Sequence, residues 1–143
     1  MRKDRDYNDG FTHKGMRKIL VDTLRDKGIT DESVLDAINT VPRHFFLESA
    51  FEKIAYENRA FPISADQTIS HPYTVAYQTQ LLQIKKGDKV LEIGTGSIYQ
   101  TTILAALGAQ WVYTIERQKK LFDEQKEYYH FRKQYPNIKF FYG

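Results

Sequence analysis

The sequence contains no cysteine among its 143 residues. This absence excludes disulfides, thiolate nucleophiles and cysteine-bound zinc sites. The four histidines, His13, His44, His71 and His130, do not have the spacing of a metal site, and no H-E-x-x-H motif occurs. We therefore expect no metal.

Long apolar runs and strong charge of one sign are also missing. No run approaches the ~20 residues of a membrane span, and no signal-peptide core is present near the N-terminus, so we expect a cytoplasmic protein. The net charge is only +3. The basic stretches at residues 2–5 and 85–89 are explained as well by solvated surface or a frayed terminus as by a ligand. We expect neither a nucleic-acid nor a membrane partner.

The first part of the chain follows helical periodicity. Apolar residues recur at helical spacing over residues 11–27, and a second helix is predicted after Thr30, its expected N-cap. Residues 43–70 follow no regular period but are rich in aromatic residues, which predicts a packed, irregular stretch. A third helix is predicted over residues 71–82, with Ser70 at its N-cap.

In the second part of the chain, predicted strands alternate with predicted helices. The predicted elements are a strand over 89–93, a helix over 99–107, a strand over 111–115, a helix over 119–133 and a strand over 138–142. Such alternation is typical of a parallel α/β sheet with right-handed crossovers. We predict an α/β fold in one structural unit, with residues 1–86 as an N-terminal helical segment and residues 87–143 as the first half of a Rossmann-like domain.

The first predicted strand ends in a glycine pair, within the run Glu92, Ile93, Gly94, Thr95, Gly96. Glycines there permit a tight turn and let a ligand approach the backbone. Glu116 follows at the end of the next strand, where a carboxylate suits two ribose hydroxyls. We predict that Glu92, Gly94, Thr95, Gly96 and Glu116 bind a nucleoside. The alternative is an ordinary strand-to-helix turn beside a solvated Glu116.

The same loop lacks the features of a phosphate site. Only the first two glycines of G-x-G-x-x-G are present, and no G-x-x-x-x-G-K-[ST] occurs. A ligand with a ribose and no phosphate fits better, and S-adenosylmethionine is the candidate.

Four segments resemble the protein-L-isoaspartate O-methyltransferase family. They are VPRHFF at 41–46, QTISHPY at 67–73, VLEIGTGS at 90–97 followed by Tyr99 and Gln100, and YTIER at 113–117. The resemblance spans residues 14 to 143. It implies a Rossmann-like S-adenosylmethionine-dependent methyltransferase fold, truncated, with an N-terminal helical segment.

The resemblance also implies a reaction. Such enzymes methylate the free α-carboxylate of L-isoaspartyl residues in aged proteins, which begins their repair. That carboxylate is ionised at neutral pH, so catalysis rests on positioning the reactants. By resemblance, Ser70 is the catalytic serine that orients the carboxylate, and Gln67 and Thr68 bind the substrate beside it. A helix N-cap role for Ser70 is compatible with this one.

The sequence departs from the family at Ile98, which stands where the family carries a third glycine. A β-branched residue cannot adopt positive φ cheaply. We expect the Ile98 side chain to project toward the space of the cofactor's amino-acid end and to weaken cofactor binding.

The sequence also stops at Gly143, where the family continues with further strands. The strand over 89–93 then has an open apolar edge, which is a template for pairing with another chain. We expect either a homo-oligomer that covers this edge or a piece of a longer protein. Two other functions stay open: an inactive relative that binds a nucleoside or a partner protein, and a methyltransferase-fold enzyme acting on RNA or a small molecule.

Overall fold

The computed structural model places helices first and a parallel sheet second, and it describes residues 5–128 and 131–143, without the side chains of residues 127 and 128. Residues 1–4, 129 and 130, and with them part of the helix predicted over residues 119–133, lie outside this description. The elements are α1 (Phe11–Asp26), α2 (Glu32–Thr40), two 3-10 helices (Arg43–Phe46 and Ser49–Ile54), β1 (Phe61–Pro62), β2 (Thr68–Ile69), α3 (Pro72–Leu82), β3 (Lys89–Ile93), α4 (Tyr99–Ala106), β4 (Trp111–Glu116), α5 (Lys119–Tyr128) and β5 (Ile138–Tyr142).

Helix α2 begins one residue later than predicted. Its N-cap is Asp31, whose carboxylate accepts hydrogen bonds from the backbone N–H of Ser33 at 3.0 Å and of Val34 at 3.4 Å. The prediction of Thr30 as the cap is wrong. The backbone N–H groups of Thr30 and Asp31 both donate to the Gln80 side chain in α3, which fixes the turn before the helix.

Helix α3 also starts one residue later than predicted. His71 is its N-cap and makes no side-chain capping hydrogen bond, while Pro72 occupies the first turn, where no N–H is required. The predicted N-cap role of Ser70 is therefore wrong. Ser70 precedes the cap outside any helix or strand, and it is exposed.

The stretch over residues 43–70 is packed, as predicted. It also contains two 3-10 helices and two short strands, which its sequence pattern did not predict. Strands β1 and β2 form an antiparallel hairpin that pairs Phe61 with Ile69, both of which are buried. Ala65 and Asp66 turn the chain between the strands at φ of 58° and 54°. Strands of two residues are too short to produce an alternating pattern, so periodicity could not reveal them.

Strands β3, β4 and β5 form a parallel sheet in that order, as the alternation predicted. Lys89 pairs with Trp111, and Val112 pairs with Ile138. The carboxyl ends of the strands therefore meet at one edge of the sheet. Among the described residues, strand β3 pairs with β4 alone, so it lies at an edge of this sheet.

The main hydrophobic core joins the helical segment to α4. Leu24 and Leu35 from the first two helices belong to the same buried cluster as Ile98, Tyr99 and Ile103 at the start of α4. A smaller cluster under the sheet contains residues 104, 105, 109 and 112. Helix α4 therefore contributes to both cores. None of the helices in the described part of the chain has the length and apolarity to cross a membrane.

Within the described residues, the other face of the sheet is largely uncovered. Strand alternation and register place Leu91 beside Tyr113, and Ile93 beside Ile115 and Phe141, on this face. Leu91 is 61% exposed and Ile93 is 75% exposed. We call this set the open face.

Candidate functional site

A cavity of about 370 Å³ lies at the carboxyl ends of β3 and β4. Open α/β sheets bind ligands at this position, and small-molecule sites typically measure ~300–1,000 Å³. The predicted site residues that line it are Gln67, Thr68, Gly94, Gly96 and Glu116. The cavity therefore brings the β1–β2 hairpin and the glycine loop together, although they are far apart in the sequence.

The glycine loop has the backbone conformation that its sequence predicted. Gly94 has φ of 93° and Gly96 has φ of 54°, both in the region that favours glycine. A Cβ atom built on Gly94 would meet no atom within 4 Å. The backbone at Gly94 is therefore bare and open to a ligand.

The N–H groups of this loop are used within the protein. Gly94 and Thr95 donate to the carbonyl of Ile115 at 2.8 and 3.3 Å, and Gly96 donates to the Glu116 carboxylate at 2.9 Å. A phosphate-binding loop points free N–H groups at its ligand, and a nearby carboxylate would repel a phosphate. These bonds support the prediction of a ligand without phosphate.

Glu116 is buried at the end of β4 with its carboxylate held from both sides. One oxygen accepts from the N–H of Gly96 and the other from the N–H of Gln118, each at 2.9 Å. An ionised carboxylate has about four acceptor positions, so two stay available. Together with the bare backbone at Gly94, these acceptors fit the hydroxyls of a ribose.

Glu92 and Thr95 lie beneath the loop and do not line the cavity. Thr101 and Thr114 donate to the Glu92 carboxylate, the latter at 2.7 Å, and the Thr114 hydroxyl also contacts the Thr95 hydroxyl at 2.6 Å. Burial raises the pKa of Glu92 to about 7, against the two hydroxyl hydrogen bonds. Because side chains alternate along β3, Glu92 points toward α4 while Ile93 lines the cavity.

Ser70 is also outside the cavity lining. It follows β2 directly, two residues beyond Thr68, and its backbone carbonyl accepts a hydrogen bond from Arg43 at 2.9 Å. Gln67 and Thr68 are exposed on the hairpin and reach the cavity wall. The structure therefore brings the two predicted substrate-binding residues to the site and leaves Ser70 beside it.

Ile98 adopts the conformation that its side chain disfavours. It has φ of 70° as the residue before α4, and its side chain is fully buried in the main core. The expectation that this side chain projects toward the cofactor space is wrong, because it packs into the core and does not line the cavity. The left-handed conformation costs roughly 1–2 kcal/mol for a residue with a Cβ.

Sequence reasoning missed several cavity residues. Arg117 and Gln118 directly follow Glu116 at the strand end, and Ile115 precedes it. Their position next to a predicted ligand contact was the available signal. Among the described residues, no group of three or more histidine, cysteine, aspartate or glutamate side chains could hold a metal ion.

Comparisons with known proteins give one consistent family. The sequence model of the family described as Protein-L-isoaspartate(D-aspartate) O-methyltransferase (PCMT) matches residues 15–143. A protein-L-isoaspartate O-methyltransferase of Christiangramia forsetii is 59% identical over 120 residues, which are 84% of this chain and 56% of the relative. That of Flavobacterium johnsoniae is 62% identical over 114 residues, 80% of this chain and 53% of the relative. The chain thus spans about half the length of these relatives.

Solved structures confirm the predicted α/β methyltransferase fold. A Plasmodium falciparum protein-L-isoaspartate O-methyltransferase, in complex with S-adenosyl-L-homocysteine, matches with a TM-score of 0.69 and 25% identity. The match covers 87% of this chain and 61% of that one. A second protein-L-isoaspartate O-methyltransferase matches with a TM-score of 0.74 and 24% identity, over 89% of this chain and 42% of that one.

Proposed function

The chain belongs to the protein-L-isoaspartate(D-aspartate) O-methyltransferase family, and from this premise we propose that it binds S-adenosylmethionine and takes part in methyl transfer to the free carboxylate of L-isoaspartyl residues in damaged proteins. The observation that carries the proposal is the cavity at the sheet edge. Its sheet side offers the free acceptor positions of Glu116, and its hairpin side offers Gln67 and Thr68.

On the sheet side, each residue has a distinct task. Glu116 accepts hydrogen bonds from the ribose hydroxyls, and the bare backbone of Gly94 and Gly96 admits the rest of the nucleoside. Thr95 and Glu92 hold the loop from below through their hydroxyl and carboxylate contacts. S-adenosylmethionine, when bound, supplies the methyl group.

On the hairpin side, the chain positions the acceptor. The isoaspartyl α-carboxylate is ionised at neutral pH, so no residue is required to remove a proton from it. Gln67 and Thr68 orient it from the cavity wall, and Ser70 donates a hydrogen bond from just beyond. Alignment and contact of the two reactants then account for the rate enhancement.

Calorimetric titration of S-adenosylhomocysteine into the full chain tests the cofactor site. We expect micromolar binding, and a loss of at least about ten-fold in affinity for Glu116→Gln, which removes one acceptor. Glu32→Gln, the same chemical change on the exposed start of α2, is the matched control. Absence of binding to the wild-type chain would overturn the cofactor assignment.

Radiolabelled methyl transfer tests the substrate. We expect label on a synthetic isoaspartyl peptide and none on the matched aspartyl peptide or on RNA. Label on RNA would instead support the alternative of a methyltransferase-fold enzyme with another substrate. Cofactor binding without any transfer would support a relative that binds its ligand but is inactive.

The open face and the edge of β3 favour an additional proposal about assembly. Leu91 and Ile93 are exposed on the strand whose second side has no partner in the part of the chain that the structure describes. We propose that a homo-oligomer covers this edge. Sedimentation velocity should show association that rises with concentration and that a lysine in place of Leu91 weakens. A monomer throughout the micromolar range would contradict it. A cytoplasmic location and the lack of nucleic-acid and membrane partners stay predictions.

A further inference from the structure

Arg43 is the largest fully buried side chain of the described residues. The groups that its guanidinium contacts are backbone carbonyls and aromatic rings. Its Nε donates to the carbonyl of Ala55 at 3.0 Å, and its Nη2 donates to the carbonyls of Arg59 at 3.1 Å and Ser70 at 2.9 Å. No carboxylate among the described residues pairs with it. One guanidinium therefore connects three separate points of the backbone.

Two aromatic rings flank this guanidinium. Its central carbon lies 5.1 Å from the ring centre of Tyr99 and 5.9 Å from that of Phe61. Phe61 belongs to β1 of the hairpin, whereas Tyr99 is the first residue of α4, directly after the glycine loop. Arg43 thus contacts both sides of the proposed site without lining the cavity.

The stability of the fold alone does not explain why a charged guanidinium is buried at position 43 without a carboxylate partner. Burial lowers the pKa of Arg43, because the charged form loses its hydration. Even buried ion pairs can often be replaced by apolar side chains of similar volume without loss of stability. The carbonyl bonds, in contrast, depend on the planar fork of arginine, which a lysine cannot reproduce.

We propose that Arg43 is a positioning residue, which fixes the Ser70 carbonyl and the β1–β2 hairpin against Tyr99 so that Gln67 and Thr68 face the glycine loop. This inference rests on the proposed function, because it assigns the hairpin to the substrate side. It predicts that loss of the fork loosens the hairpin and weakens substrate binding while the cofactor side keeps its affinity.

Arg43→Lys and Arg43→Met, made in the full chain, test the proposal, with Arg25→Lys on the exposed surface of α1 as the matched control. We expect amide hydrogen exchange over residues 61–70 to become about ten-fold faster or more in both variants, with exchange over residues 111–116 unchanged. S-adenosylhomocysteine affinity should stay within about two-fold, and KM for an isoaspartyl peptide should rise about ten-fold with kcat little changed.

Hydrogen exchange tests the positioning role of Arg43, and the binding and kinetic measurements test the proposed function, so a failure of one can be told from a failure of the other. A uniform rise in exchange over the whole chain, or unchanged exchange over residues 61–70, would overturn the positioning role even if the enzyme is active. So would full rescue of KM by Arg43→Lys. If the wild-type chain binds no cofactor and methylates no peptide, the proposed function fails, and the exchange pattern still decides whether Arg43 orders the hairpin.

Discussion

The helical segment and the sheet differ in how completely their elements are covered. In the helical segment even charges are buried and bound: Arg17 is 3% exposed, and its guanidinium makes two 2.9 Å contacts with Asp9 and a third with Tyr56. In the sheet, apolar side chains such as Leu91 and Ile93 stay exposed. The comparison shows that the described chain completes one core and covers the sheet on one face only.

The largest expected effect is on the free energy of unfolding, and a matched pair of leucines, one from each region, measures it. Leu35 is fully buried in α2, whereas Leu91 is 61% exposed on the open face. At concentrations low enough for the chain to be monomeric, we expect Leu35→Ala to lower the free energy of unfolding by about 2–5 kcal/mol and Leu91→Ala by about 0.5 kcal/mol or less. Urea denaturation of both variants measures the difference.

The same two variants can also contradict the contrast between the buried core and the open face. If Leu91→Ala costs as much as Leu35→Ala, the open face must be covered in solution. The cost should then depend on protein concentration, because an oligomer would supply the cover. Repeating the denaturation at two concentrations distinguishes this case from packing of Leu91 within a single chain.

The next largest effect concerns Ile98, which stands where the two regions join. Its side chain is fully buried while its φ is 70°, so burial stabilises the residue and its backbone conformation destabilises it. We expect Ile98→Gly to lower the free energy of unfolding by about 2–3 kcal/mol, because the lost packing exceeds the strain relieved. Thermal or urea denaturation gives the value.

Ile98→Ala is the control that isolates the strain. It removes the same packing but keeps a Cβ at positive φ, so it should be about 1 kcal/mol less stable than Ile98→Gly. That order is the reverse of the one seen inside a helix. Alanine more stable than glycine at this position would contradict the left-handed conformation. Because the side chain does not line the cavity, S-adenosylhomocysteine affinity should be equal in all three proteins.

Much of the sheet half could be predicted from the sequence because its signals are local. The apolar run of β3, the glycines after it and Glu116 after β4 each follow from spacing, and the cavity is found where they predicted it. The same local pattern could not tell that Glu92 points away from the ligand side. That direction depends on which face of the strand α4 covers.

The helical half was less predictable, because its order depends on contacts between distant residues. Asp31, and not Thr30, caps α2 where Gln80 of α3 fixes the preceding turn. Arg43 donates hydrogen bonds to the carbonyls of Arg59 and Ser70, which flank the β1–β2 hairpin and lie 16 and 27 residues away in the sequence. No periodicity encodes such contacts, so the sequence predicted only that residues 43–70 are packed.

A pH-dependent effect of intermediate size should arise in the sheet half. Glu92 has an ordinary pKa of 4.5 and a folded pKa of about 7, so the folded chain keeps a proton that the unfolded chain releases. Stability should therefore fall as the pH rises from about 4.5 to about 7. We expect Glu92→Gln to remove this slope and to be about 1–2 kcal/mol more stable than the wild type at pH 8, since glutamine resembles the protonated acid. Equal slopes in the two proteins would show that Glu92 titrates normally.

The smallest effect should arise in the helical half, with the opposite sign. His44 is fully buried, and burial lowers its pKa below the ordinary 6.5, while its hydrogen bond to the Asn8 carbonyl opposes that shift. The unfolded chain therefore takes up a proton that folded His44 resists, and stability falls as the pH drops below about 6.5. An NMR titration of the His44 ring should give a midpoint lower than that of the urea-unfolded chain. A midpoint at or above the unfolded value would contradict the described burial. Between about pH 4.5 and 6.5 the two titrations therefore act in opposite directions, because a rise in pH destabilises the chain through Glu92 and stabilises it through His44.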